Sequence, residues 1–200
     1  MTNDPPDHRD RILDTAAEQV RRFGEAKTNV VDIAKAMGLS HSAIYRHFRS
    51  KADIFDALAA RTMAEEAELA ARFVNADGSA GDRLRGLVLA LHRSKRAKLG
   101  DDPEIHGLYR RIVTERPDLV ADYARRMTVL VRQVLEDGVN GGEFHIPELD
   151  AAAGVVRDAV TVFIHPAHVE QAVLIGLDME PRLHAVMDAL TLSFSASRRA

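Results

Sequence analysis

The segment from Thr28 to Lys51 constrains the fold of this chain more than any other part of the sequence. Apolar residues recur at helical spacing in its first half, glycine follows at position 38, and Ser40 stands where it can cap a second short helix. Ser50 opens a third helix in the same way, with an acidic residue three positions later. Two short helices joined by a tight turn are typical of a helix-turn-helix, whose second helix can enter the major groove of DNA.

The rest of the sequence is also helical in its periodicity. Helices are predicted at about 9–23, 51–74, 82–99, 104–114, 117–137, 148–165 and 178–194. Breaks separate them at 75–81, 100–103, 138–142 and at His165-Pro166. No stretch alternates as a strand requires, so the sequence predicts an all-α fold of about eight or nine helices. We expect a three-helix helix-turn-helix head at 1–50 and a larger helical domain at 51–200.

The charge of the chain is distributed unevenly along it. The net charge is −3, but residues 1–51 hold nine Lys/Arg and seven Asp/Glu, and the remainder holds 18 and 23. Residues 35–51 contain four basic side chains and no acid. A small basic end on an acidic protein is compatible with docking to phosphate, and the alternative is an ordinary solvated surface.

The chain lacks the sequence features of several functional classes. The chain has no cysteine, which excludes disulfides and thiolate metal sites. No apolar run approaches the length of a membrane span, and the polar segment 1–10 is not a secretory signal, so we expect a cytoplasmic protein. No GxSxG, P-loop or GxGxxG motif is present, so we expect neither an enzyme nor a bound cofactor.

Nine histidines raise the question of a metal site. His165 and His168 have ligand-like spacing, and His106 and His145 are further candidates. Pro166 lies between the first two, so a shared helical face is not assured. A structural or surface role is the better interpretation, and we expect no metal.

The two short helices supply the candidates for DNA contact. The start of the recognition helix lies closest to base edges; these residues are Ser40, His41, Ser42 and Ala43. The imidazole of His41 can donate to a guanine acceptor, and the methyl of Ala43 can meet a thymine methyl. Thr28 and Asn29 stand at a helix N-terminus, where free amides and short polar side chains bind phosphate. Arg46 fits either a phosphate contact or a solvated surface.

The residues of this region resemble the DNA-binding domain of the TetR (tetracycline repressor) family. The matching residues are Arg11, Ile12, Leu13, Ala16, Ala17, Phe23, Gly24, Val30, Asp32, Ile33, Ala34, Gly38, Ser40, Tyr45, His47, Phe48, Ser50 and Lys51. The resemblance covers about the first 55 residues closely and the rest in length and helical layout. It implies that Tyr45 and His47 contact the DNA backbone, with Lys51 beside them; core packing is the alternative for Tyr45.

The resemblance also implies partners: a palindromic double-stranded DNA operator, a second copy of the chain and an unknown small-molecule effector. The last two helices look like the family's dimerising pair. The expected protein is a sequence-specific transcriptional regulator, most often a repressor in this family. The alternative is a helical ligand- or metal-sensing protein without DNA-binding activity, which is favoured by the acidic net charge and by Ser42, near which family members often carry glycine.

Helical bundles commonly bind ligands between their central helices. The candidates for an effector cavity are Met63, Leu87, Leu91, His106, Tyr109, Tyr123 and Met127. Plain core packing is the alternative for each of these residues.

Overall fold

The computed structural model describes residues 8–195 and contains ten helices and no strand within that range. The helices are α1 (His8–Phe23), α2 (Val30–Ala36), α3 (His41–Tyr45), α4 (Lys51–Ala71), α5 (Ala80–Asp101), α6 (Pro103–Glu115), α7 (Pro117–Asn140), α8 (Leu149–Ile164), α9 (Pro166–Leu174) and α10 (Glu180–Ser195). The predicted all-α fold is confirmed. The polar N-terminal segment lies mostly outside the described residues, at 1–7.

Helices α1 to α3 form the head of the molecule, and local signals explain their ends. Gly24 ends α1 with φ 77°, and Gly38 makes the turn between α2 and α3 with φ 66°. Glycine adopts this left-handed conformation without steric cost. The sequence therefore predicts the helix-turn-helix geometry correctly.

Helices α4 to α10 form the body, and one of its helices is not predicted by the sequence. His165 is extended (φ −75°, ψ 129°), so α8 ends there as predicted. Pro166 then opens α9, because proline is tolerated in the first turn of a helix. Gly138 is a second difference: it continues α7 instead of ending it, and a Cβ at this position would collide with the ring of Phe144.

Two hydrophobic cores meet along α4. The first joins the head to the first half of α4 and to α6, and includes Ile54, Phe55, Met63 and Ile112. The second lies between the end of α4 and helices α5, α7, α8, α9 and α10. Helix α4 therefore contributes to both cores and connects the head to the body. The boundary at residue 50 stays a prediction.

Candidate functional site

The start of α3 is held by a serine cap. The backbone of Ser40 is extended (φ −73°, ψ 151°), and its Oγ accepts a hydrogen bond from the backbone N of Ala43 at 3.2 Å. The hydroxyl of Ser42 lies 2.9 Å from the Ser40 hydroxyl. This cap orders the five residues of α3, whose first turn carries two polar side chains outward.

Most of the predicted DNA contacts lie together on the outer surface of the head. The exposed members of the set are Asn29, Ser40, His41, Ser42, Tyr45, Arg46 and His47, and Lys51 is half-buried beside them. The rings of His41 and Tyr45 meet edge to face, with centroids 4.7 Å apart. Tyr45 is 43% exposed, so it does not pack in the core. We call this surface the α3 surface.

Two of the predicted DNA contacts are buried instead. Thr28 is 1% exposed, and its Oγ1 donates to the carbonyl oxygen of Gly24 at 2.9 Å, which closes the turn after α1. Ala43 is 8% exposed, so its methyl faces inward and is not available to a thymine. Asn29 is exposed and makes no cap hydrogen bond; its Nδ2 donates to Lys27 O at 3.4 Å.

The basic side chains on the α3 surface and in the neighbouring sequence are not neutralised by ion pairs within the described residues. Ion pairs elsewhere in the head engage Arg21 and Glu25. Within residues 8–195 no such pair engages any of the four basic side chains between positions 35 and 51, which are Lys35, Arg46, Arg49 and Lys51. Cations that are not neutralised by neighbouring carboxylates can interact with phosphates.

A cavity of about 230 Å³ lies in the body, which we call the body cavity. Its lining comes from α4 to α9: Met63, Lys95, Tyr109, Val113, Val120, Tyr123, Ala124, Met127, Arg157, Thr161, Ile164, His165 and Pro166. The lining is mostly apolar with a few polar groups, as is typical of small-molecule sites.

A buried ion pair lies against one side of the body cavity. Lys95 Nζ is 2.8 Å from both carboxylate oxygens of Glu66, and their side chains are 3% and 1% exposed. Tyr109 Oη lies 3.3 Å from Lys95 Nζ and 3.3 Å from Glu66 Oε2. Burial lowers the pKa of Lys95, and the carboxylate of Glu66 opposes this effect. Burial also raises the pKa of the Tyr109 phenol, which therefore stays protonated.

Two polar atoms of residues that line the body cavity have no hydrogen-bond partner among the described residues: Tyr123 Oη and His165 Nδ1. Burial and the nearby carboxylate of Glu66 raise the pKa of Tyr123, and burial lowers the pKa of His165, so both side chains are uncharged near neutral pH. Most buried polar atoms in folded proteins have a partner, so these two are candidates for contact with a ligand.

The structure brings together four of the seven predicted cavity residues: Met63, Tyr109, Tyr123 and Met127. The other three do not line the body cavity. Leu87 and Leu91 are each 1% exposed within the second core, where they pack against other helices. His106 is 4% exposed and has its Nε2 3.8 Å from Glu170 Oε2.

Lys95 and Glu66 are not among the residues predicted to form a site, although the sequence contains a signal for both. Lys95 continues the apolar stripe of α5 four residues after Leu91, and Glu66 continues that of α4 three residues after Met63. Charged residues on buried stripes need a partner of opposite charge. Opposite charges on the buried stripes of two neighbouring helices therefore predict such a pair.

The metal hypothesis finds no support in the part of the chain that the structure covers. The rings of His165 and His168 have centroids 5.2 Å apart. Among residues 8–195, no three His, Cys, Asp or Glu side chains are grouped as metal ligands. Separately, no helix in this range combines the length and apolar character needed to cross a bilayer.

Comparison with known proteins supports both parts of the fold. The family model described as "Bacterial regulatory proteins, tetR family" matches residues 12–58. A second model, "Tetracyclin repressor-like, C-terminal domain", matches residues 80–190, which is more than half of the chain. The first match contains the whole α3 surface, and the second contains most of the body.

Individual relatives agree with the family models. The nucleoid occlusion factor SlmA of Marinobacter nauticus is 39% identical over 58 residues, 29% of this chain and 30% of that protein. The curated relative is therefore matched over less than a third of its length. The fatty acid degradation regulator FadR of Bacillus halodurans has a TM-score of 0.63 at 20% identity, covering 100% of this chain and 99% of that chain.

FadR of Bacillus subtilis, solved with stearoyl-CoA, has a TM-score of 0.60 at 19% identity, covering 90% of this chain and 96% of that chain. At these identities the two structures show the fold alone. The family models go further, because one spans the helix-turn-helix and the other spans the body: this chain belongs to the TetR family of bacterial regulatory proteins.

Proposed function

We propose that this protein is a DNA-binding transcriptional regulator that acts as a homodimeric repressor and is released from its operator by a small molecule. The observation that carries the proposal is the α3 surface: a capped recognition helix with outward polar side chains, beside four basic residues between 35 and 51. The TetR family match favours this function over a sensor that does not bind DNA. Such a regulator acts in the bacterial cytoplasm, where the chromosome lies.

The exposed side chains divide into two roles. His41 and Ser42 are exposed at the start of α3, and their proposed role is to read base edges in the major groove. Tyr45, His47 and Lys51 contact the sugar-phosphate backbone, which sets position and affinity but carries little sequence information. Two heads in successive major grooves, roughly 34–36 Å apart, require a palindromic operator.

The homodimer would form through α8 and α10. Val155 and Val162 lie seven residues apart, so they share one face of α8, and they are 53% and 41% exposed. Leu192 on α10 is 73% exposed. Large apolar side chains exposed together on adjacent helices favour a protein interface.

The body cavity is the proposed effector site. Its lining includes Met63 of α4, and α4 also packs in the core of the head. The dimer would have two arrangements of α4, and only one of them gives the two heads the spacing that DNA requires. An effector that binds the other arrangement more tightly would lower DNA affinity by that difference in binding. The stearoyl-CoA complex of Bacillus subtilis FadR supports a small-molecule ligand within this fold.

DNA binding is tested by selecting genomic fragments with the full-length protein and measuring affinity at constant salt. We expect Tyr45→Ala and Lys51→Ala to weaken binding to selected and random DNA alike, and His41→Ala to change the preferred sequence. Lys98→Ala, at a half-buried lysine of the body, is the matched control and should leave the affinity unchanged. If Tyr45→Ala and Lys51→Ala both bind DNA like the unmodified protein, the α3 surface is not the DNA-binding site.

The dimer is tested by sedimentation. Leu192→Glu and Val162→Glu should shift the protein from dimer to monomer, because a charge buried in an apolar interface lacks a partner. Val129→Glu is the control, since Val129 is 50% exposed on α7 and lies beside Ala67 and Ala71 of α4. A dimer that withstands both α8 and α10 substitutions contradicts the proposed interface.

A further inference from the structure

The charges that line the body cavity are already balanced within the protein. Lys95 is held by Glu66, with Nζ 2.8 Å from each carboxylate oxygen. Arg157, the other cation of the lining, is exposed to solvent and has its Nη2 2.8 Å from Asp158 Oδ1, with side chains 44% and 71% exposed. A charged group that passes Arg157 into the buried part of the cavity would therefore be an additional charge without a counter-ion, and it would lose its hydration on entry.

The position that would suit a cationic ligand is occupied by the protein itself. Lys95 Nζ lies 4.7 Å from the centroid of the Tyr109 ring and 5.9 Å from that of Tyr123, with Glu66 beside it. Two aromatic rings and a carboxylate are the groups that recognise an organic cation. Because the ammonium group of Lys95 fills this arrangement, a second cation is repelled from it.

An anionic ligand meets a different obstacle. In the buried part of the lining its partner would be Lys95, but both oxygens of Glu66 already accept from Nζ. Glu66 is 1% exposed and cannot move into solvent to make room without opening the packing between α4 and α5. Like charges at short distance in a poorly hydrated site repel strongly.

Uncharged polar groups are the ones for which the body cavity has free partners. Tyr123 Oη is buried with no partner in hydrogen-bond geometry among the described residues, although the Glu66 carboxylate lies near it, and it can donate; His165 Nδ1 is buried without a partner and can donate or accept. A hydroxyl or carbonyl oxygen on a ligand can pair with either atom. The remaining lining includes Met63, Val113, Val120 and Met127, which favour an apolar molecule.

We infer that the effector of this regulator is an uncharged, mainly apolar small molecule with a hydroxyl or carbonyl oxygen that hydrogen-bonds to Tyr123 Oη or His165 Nδ1. The inference rests on the proposed function for the role of the ligand, but the chemistry follows from the cavity alone. A volume of about 230 Å³ lies below the usual range for drug-sized ligands. The part of the ligand that the cavity holds is therefore small, of the size of a substituted phenol.

The test is calorimetric titration of the full-length protein at pH 7 with four molecules of one shape. They are para-ethylphenol, para-ethylbenzoate, para-ethylbenzylammonium and ethylbenzene. We expect the phenol to bind at least about tenfold more tightly than either ion, and about three- to tenfold more tightly than ethylbenzene. Equal or tighter binding of either ion, or no binding of any of the four, overturns the inference.

Two variants make the test specific to this cavity. Tyr123→Phe should reduce the preference for para-ethylphenol over ethylbenzene by about three- to tenfold, and an unchanged preference contradicts the role of Tyr123. Lys95→Met should create affinity for para-ethylbenzylammonium, because the cation position beside Glu66 becomes vacant. If that variant does not fold, the four-ligand comparison and Tyr123→Phe decide the question. DNA is absent from these titrations, so their outcome is separate from that of the DNA-binding test.

Discussion

Arg21 Nε lies 2.6 Å from Asp102 Oδ2, so an ion pair joins α1 of the head to the junction of α5 and α6 in the body. A second pair links the same regions, with Arg111 Nε of α6 3.0 Å from Glu25 Oε2. Helix α6 also supplies Tyr109 to the body cavity. Helix α6 therefore contacts the head and also lines the proposed ligand site.

We expect the pair between Arg21 and Asp102 to contribute little to stability. Arg21 is 55% exposed and Asp102 is 20% exposed, and exposed ion pairs contribute about 0.2–1 kcal/mol because water and salt screen them. A double-mutant cycle with Arg21→Ala and Asp102→Ala, measured by urea unfolding, gives this coupling energy. It should fall at high salt, and a coupling energy above about 2 kcal/mol would contradict the prediction.

The serine cap of α3 should matter for both stability and DNA affinity. Ser40→Ala removes the acceptor of the Ala43 N–H and should lower the free energy of unfolding by about 1 kcal/mol. It should also weaken DNA binding, since the first turn of α3 carries His41 and Ser42. Urea unfolding and DNA titration measure the two effects.

Ser79 offers a matched control for this cap. Its Oγ accepts from the backbone N of Asp82 at 3.0 Å at the start of α5, in the body. Ser79→Ala should cost a similar free energy of unfolding, about 1 kcal/mol, and leave DNA affinity unchanged. Equal losses of DNA affinity in both variants would show that the Ser40 effect reflects general destabilisation.

Removing only one partner of the ion pair between Lys95 and Glu66 should lower the free energy of unfolding strongly. Lys95→Met leaves a buried carboxylate without its partner and should lower the free energy of unfolding by about 3–5 kcal/mol. Replacing both residues, as Lys95→Met with Glu66→Leu, should restore most of that loss because no uncompensated charge remains. Urea unfolding of the three proteins tests this, and a double variant as unstable as the single one would contradict it.

His106 should make the protein less stable in mild acid. Burial lowers its pKa below the ordinary value of 6.5, although the nearby Glu170 carboxylate opposes the shift. Between the unfolded value and the lower folded value, the unfolded chain binds more protons, so the free energy of unfolding falls as the pH falls. The contribution is fully present above about pH 6.5 and is lost below it.

The measurement is urea unfolding between pH 7.5 and 5, with His106→Gln beside the unmodified protein. The variant should show a shallower fall of unfolding free energy with decreasing pH, because it lacks a group that binds a proton more strongly in the unfolded chain than in the folded protein. An identical slope for both proteins would mean that the acid sensitivity arises from other groups.

The sequence by itself determined the helical fold, the helix-turn-helix and the caps at Ser40 and Ser50. Each of these features is encoded by residues within one or two turns of each other, as when Ser50 Oγ accepts from the N–H of Asp53 at 3.1 Å. Local hydrogen bonding and helical periodicity are visible in the order of residues alone. The exposed polar side chains of the α3 surface follow from the same local signals.

Only the tertiary structure decided which side chains meet across helices. In the folded protein Thr28 and Ala43 are buried, and Leu87, Leu91 and His106 do not line the body cavity. Lys95 lies against Glu66, 29 residues away in sequence. Helical periodicity shows which face of a helix is buried, but not which neighbour covers that face. Whether an inward side chain packs, pairs or lines a cavity depends on those neighbours, and so the chemistry of the body cavity appears only when the helices are assembled.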